Sequence, residues 1–72
     1  KVSADELKDL STYELEIARN EIYARHGYIF VSDEWKDFFV NEDWYIPTSY
    51  SVKLNSIEEY NVAMIIKEEA RR

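Results

Sequence analysis

Ser11-Thr12-Tyr13-Glu14-Leu15-Glu16-Ile17-Ala18-Arg19-Asn20-Glu21-Ile22-Tyr23-Ala24-Arg25-His26-Gly27 is the stretch that decides how this chain folds. Ser11 is a residue type that caps a helix start, Glu14 stands three positions on to complete a capping box, and Leu10 and Leu15 occupy the two places of a hydrophobic staple. The interior is free of Pro and Gly, and Gly27, the chain's single glycine, stands where a helix commonly leaves through a left-handed residue. The spacing predicts a helix from about Thr12 to His26.

Its faces make that helix central. Leu15, Ala18 and Ile22 fall on one side, while Tyr13, Ile17 and Ala24 fall on roughly the opposite side, so both sides need cover. Arg19 and His26 lie near the Leu15/Ile22 line and Asn20 near the other, placing polar groups where packing is expected. An unpaired buried polar group costs about 1 to 3 kcal/mol. The expectation is therefore a structural hydrogen-bonded network of Arg19, Asn20 and His26, joined by Asn61 from the end of the chain.

Upstream, Ser3 and Glu6 repeat the capping box, with Val2 and Leu7 as staple, and predict a helix of about two turns, roughly Ala4 to Leu10, that leans on the central one. Downstream, Tyr28-Ile29-Phe30 reads as an extended connection outside any sheet. Ser32 is expected to cap a short helix from Asp33 to Val40 whose apolar face is Trp35, Phe38 and Phe39. An aromatic loop from Trp44 to Leu54 follows, kept out of a helix by Pro47. Asn55 and Glu58 open a last helix from Ser56 to Ala70, with Ile57, Tyr60, Met64 and Ile65 inward, Asn61 hydrogen-bonding inward, and Lys67 to Arg72 as a solvated end. The fold class is all-α: residues 1–72 form one small domain with a central two-sided helix, two short helices, a C-terminal helix and an aromatic loop.

Composition narrows the function. Asp and Glu outnumber Lys and Arg 15 to 9, a net charge of −6, which argues against nucleic acid or an anionic membrane as partner and favours a neutral or cationic one. No apolar run is long enough for a transmembrane segment. With no cysteine there is no disulfide frame or thiol nucleophile. A start at Lys1 is what an excised module would show.

The residues that could carry chemistry each have a plainer reading. His26 is suited to proton transfer, yet as a lone His at a helix end it is expected to cap or to hydrogen-bond within the structure. Arg19 could clamp an anionic ligand, but an internal ion pair with Asp43 or Glu34 is the first expectation. Glu21 and Arg25 are spaced as an ordinary helix-surface pair. Neither acidic cluster, Asp33/Glu34/Asp37 nor Asn41/Glu42/Asp43, has the spacing of a metal site, so no metal and no cofactor is expected. Trp44, Tyr45 and Tyr50, with Arg25 and His26, are the candidate binding residues. A binding reading would rest on the rings of Trp35, Trp44, Tyr45 and Tyr50, yet most of these are expected in the core, with Tyr45 or Tyr50 the ring left exposed.

Ala18-Arg19-Asn20-Glu21-Ile22-Tyr23-Ala24-Arg25-His26-Gly27 resembles the YARHG domain, a bacterial module named for the five residues standing here at Tyr23 to Gly27. The resemblance extends to Leu10-Ser11, Tyr28-Ile29-Phe30, Trp44-Tyr45 and Leu54-Asn55 with Ile57, Tyr60 and Asn61. It implies an extracytoplasmic domain of a secreted, lipoprotein or membrane-anchored parent, with no catalytic role. A cell-wall component such as peptidoglycan, or a partner protein, is then the expected partner. The function expected is a non-catalytic binding or targeting module of a cell-envelope protein. The alternative is an accessory domain that spaces or regulates a neighbouring enzyme.

Overall fold

Four helices form in chain order: α1 (Ala4–Lys8), α2 (Thr12–Ala24), α3 (Asp33–Val40) and α4 (Ser56–Ala70), in a computed structural model that describes residues 1–72. The capping boxes are made as the sequence predicts. At α2 the Glu14 N–H donates to Ser11 Oγ at 3.0 Å and the Ser11 N–H donates to Glu14 Oε1 at 2.8 Å, and α1 and α4 start in the same way. Ser32 precedes α3 without a side-chain capping bond, so Asp33 and Glu34 in the first turn, favoured there by the helix dipole, mark that start instead.

Helix α2 is sheathed on both sides. Leu15, on one side, packs with Leu7 of α1 and Ile65 of α4, with Ala18, Ile22 and Met64 around them. Ala24, on the other, packs with Phe30, Trp35 and Phe39, with Ile17, Tyr28, Trp44 and Tyr45 around them. Tyr13 stays half in solvent but stacks on Trp35 at 6.0 Å. One flank is thus aliphatic and the other almost wholly aromatic.

Regular helix ends at Ala24, short of the His26 expected, because the chain already turns there. The Gly27 N–H donates to the Ala24 carbonyl at 2.9 Å and the Tyr28 N–H reaches the Tyr23 carbonyl at 3.2 Å, the bond pair of a Schellman exit, with Gly27 at φ 81°. A second constraint falls on the same residue. Thr48 and Ser49 N–H groups both donate to the Gly27 carbonyl, at 2.7 and 3.2 Å, and a Cβ on Gly27 would stand 2.7 Å from the Ile46 carbonyl oxygen and against Thr48 Oγ1. A lone parallel bridge between Tyr28 and Ser49 completes this seam, with no sheet.

The inward face of α4 differs from the one read in the sequence. Val62, Ile65 and Glu68 are buried, whereas Ile57 and Tyr60 are 52% and 41% exposed. The helix rests on α2 and α1, and those contacts fall on the stripe 62, 65 and 68. Nor is its end solvated. Glu68 is 7% exposed and accepts from Arg71 Nη1 at 3.2 Å and Arg72 Nε at 3.3 Å. Arg72 Nη2 in turn donates to the Leu7 carbonyl at 3.1 Å. The Leu7 carbonyl also accepts the Leu10 N–H at 3.2 Å, so the guanidinium is a further donor at the end of α1, which closes at Lys8, short of the end expected near Leu10.

Substituting Gly27 with Ala meets both the left-handed backbone and the approach of the Ile46–Thr48 loop. The expected cost is about 2 kcal/mol or more, a fall in Tm on the order of 10 °C. A thermal melt by circular dichroism that leaves Tm unchanged would contradict this account of the turn.

Candidate functional site

Residue numbers rise along α2 as they fall along α4, and polar groups bolt the two helices together at both ends. Arg19 donates from Nε to Glu69 Oε1 at 2.8 Å and from Nη2 to Oε2 at 3.1 Å, a bidentate pair that pushes the guanidinium pKa up. The partner is Glu69 and not Asp43 or Glu34, because Arg19 sits on the flank that α4 covers while those two acids belong to the aromatic flank. At the other end His26 Nε2 lies 2.8 and 2.7 Å from the two oxygens of Glu58. Glu58 also accepts the Asn55 N–H at 2.9 Å. That backbone bond first, and His26 second, hold its carboxyl below the usual range.

Asn61 does bond inward: its Oδ1 accepts from the Val2 N–H at 2.9 Å and fixes the start of the chain. Asn20 Nδ2 donates to the Glu16 carbonyl one turn back at 2.9 Å. Arg19, Asn20, His26 and Asn61 therefore serve separate partners along the α2–α4 seam and do not form one connected network.

The structure likewise divides Arg25, His26, Trp44, Tyr45 and Tyr50. The Arg25 guanidinium stacks 3.7 Å from the Trp44 ring centre while its Nε and Nη2 bond Glu21 at 3.3 and 3.2 Å. His26 turns the other way, to α4. The Tyr45 hydroxyl donates to the Tyr28 carbonyl at 2.6 Å, and burial pushes its pKa up. Tyr50 alone of the five stands free, 69% exposed in the loop.

Grooves flank the seam. One of about 320 Å³ has Val2, Ala18, Ile22 and Ile65 as floor and Glu21, Arg25 and Glu58 on its rim. Its polar side chains are already paired, Glu21 with Arg25 and Glu58 with His26. The other, about 290 Å³, is lined by Arg19, Asn20, Tyr23, Tyr28, Val62 and Ile66. Here the rings of Tyr23 and Tyr28 meet edge to face at 5.9 Å, and their hydroxyls make no hydrogen bond within the protein. Arg19 Nη1 and Asn20 Oδ1 are also without a protein partner. This second groove was not read from the sequence. The i, i+3 and i, i+4 relations of Tyr23 to Asn20 and Arg19 place its ring between those two around the helix and were a usable signal. Tyr28, Val62 and Ile66 arrive only through the Gly27 turn and the docking of α4.

Chemically, such a groove can hold a ligand by ring contact and directed hydrogen bonds. His26 Nε2 and the Glu58 carboxylate are engaged with each other.

A family model described as the YARHG domain matches residues 1–70 of the chain. Comparisons with curated proteins and with solved structures return no match.

Two outcomes follow from the seam. Arg19 and Glu69 keep 31% and 20% of their side chains exposed, so a double-mutant cycle with Arg19→Met and Glu69→Gln should give a coupling of about 1 kcal/mol; additivity would mean the pair adds nothing. Because the Glu58 carboxyl is depressed in the folded state, its contribution is present above its ordinary pKa of 4.5 and is lost as pH falls through the lower folded value. Glu6, depressed by Ser3, acts in the same direction. Melts from about pH 6 to about pH 3 should show Tm dropping below about 4.5, with a smaller drop for Glu58→Gln. Identical profiles for the two proteins would remove Glu58 from the cause.

Proposed function

Because the chain belongs to the YARHG domain family, a family of bacterial extracytoplasmic modules, we propose that it is a non-catalytic binding or targeting domain of a cell-envelope protein, with peptidoglycan of the cell wall as its ligand. The observation that supports this reading is the Tyr23/Tyr28 groove, where aromatic rings adjoin a guanidinium and an amide that still have hydrogen-bonding capacity. Rings beside free donors and acceptors suit the polar, uncharged glycan strands of that polymer, and the chain's −6 charge disfavours its carboxylate-bearing peptide stems as the contact. Non-catalytic action is favoured by His26, whose Nε2 is given over to Glu58.

A second reading, an accessory domain that spaces or regulates a neighbouring enzyme, draws on a different surface. Ile46 and Tyr50, each 69% exposed, stand on the loop between α3 and α4 and suit a protein contact.

Co-sedimentation with purified peptidoglycan sacculi tests the first reading. The wild-type domain should pellet with the sacculi, and Tyr23→Ala and the surface change Ile66→Asp should each weaken this about tenfold while the protein remains folded. A domain that stays in the supernatant, in a parent protein whose enzyme loses activity when the domain is deleted, would replace the first reading by the second.

A further inference from the structure

We propose that the Tyr23/Tyr28 groove takes an N-acetylated hexosamine ring, reading the acetamido group through Arg19 and Asn20. The inference rests on the wall-binding reading and names the ligand chemistry at the same groove. An acetamido group presents an N–H donor, a carbonyl acceptor and a methyl group, and the groove holds a complement to each. Asn20 commits its Nδ2 to the Glu16 carbonyl, which fixes the amide and leaves Oδ1 as acceptor. Arg19 commits Nε and Nη2 to Glu69, which fixes the guanidinium plane and leaves Nη1 as donor. Val62 and Ile66 supply apolar surface for the methyl, and the Tyr23 and Tyr28 rings supply faces for the C–H side of a pyranose, with free hydroxyls at their tips.

Three considerations select this ligand class. Both polar groups are held in place before any ligand arrives, so little rotamer freedom is lost on binding. The Arg19 charge is balanced by Glu69, so the guanidinium acts as a directed donor more than as a net cation, which favours a neutral sugar over an acidic one. A volume of about 290 Å³ stands at the small end of ligand pockets, the size for one substituted ring rather than a long segment.

Titrating the isotope-labelled 72-residue chain with a β-1,4-linked N-acetylglucosamine tetramer, and in parallel with the unacetylated glucose tetramer of the same linkage, tests the inference by amide NMR. The acetylated tetramer should move the amides of Asn20, Tyr23, Tyr28 and Ile66, with the glucose tetramer about tenfold weaker. Asn20→Leu should bring the two tetramers close to equal affinity. Equal response of the wild type to both tetramers, absence of any response, or perturbation confined to other residues would overturn it. Sacculus co-sedimentation run alongside separates the failures: sacculi bound without preference for the acetylated tetramer would end this inference and leave wall binding standing, while loss of both would end both.

Discussion

A helix with apolar groups on opposite sides cannot be satisfied by one neighbouring layer, and in this chain everything else is arranged to supply the second. Leu15 and Ala24 are buried to 0% and 1% exposure on the two flanks of α2. Each fully buried large apolar side chain is worth about 1.5 to 3 kcal/mol, a sizeable part of the stability expected of a domain this small. Neither flank can be dispensed with. The chain before α2 and the chain after residue 55 close the aliphatic flank, and the aromatic middle closes the other.

The turn at Gly27 is where these two coverings are joined. It sends the chain off α2 toward Phe30, and its carbonyl then accepts Thr48 and Ser49 from the far end of the aromatic segment, so a single peptide unit ties both ends of that segment. The residues before it are divided between the flanks. Ala24 is small where Phe30 and Phe39 press on the helix, Arg25 covers Trp44, and His26 reaches Glu58 at the start of α4. Each residue from Ala24 to Gly27 thus has a structural task.

The same division organises what remains for recognition. Polar groups that bridge helices have given up part of their hydrogen-bonding capacity, and what is left over is held in fixed directions. On the rim that carries Glu21 the polar groups are taken up in pairs, Glu21 with Arg25 and Glu58 with His26. On the Tyr23 side, Asn20 Oδ1, Arg19 Nη1 and the phenolic hydroxyls have no protein partner, and their residues line a groove together with apolar Val62 and Ile66. Architecture and recognition therefore share Arg19 and Asn20.

Local rules carried much of the fold into the sequence. Capping boxes at Ser3, Ser11 and Asn55, the lone glycine after a two-sided helix and the aromatic run between residues 28 and 50 suffice for an all-α domain wrapped around α2, because caps, turns and periodicity act over a few residues. Which partner Arg19 takes, which stripe of α4 turns inward and why Glu68 is buried under Arg71 and Arg72 were not legible, since α4 carries apolar residues around most of its circumference and acids compete along the whole chain. The groove is of the same kind: Tyr23 stands between Arg19 and Asn20 around α2 by spacing alone, but Tyr28, Val62 and Ile66 join them only when the turn and the docked helix bring distant segments together. Short-range hydrogen bonding set the elements, and long-range packing chose their neighbours.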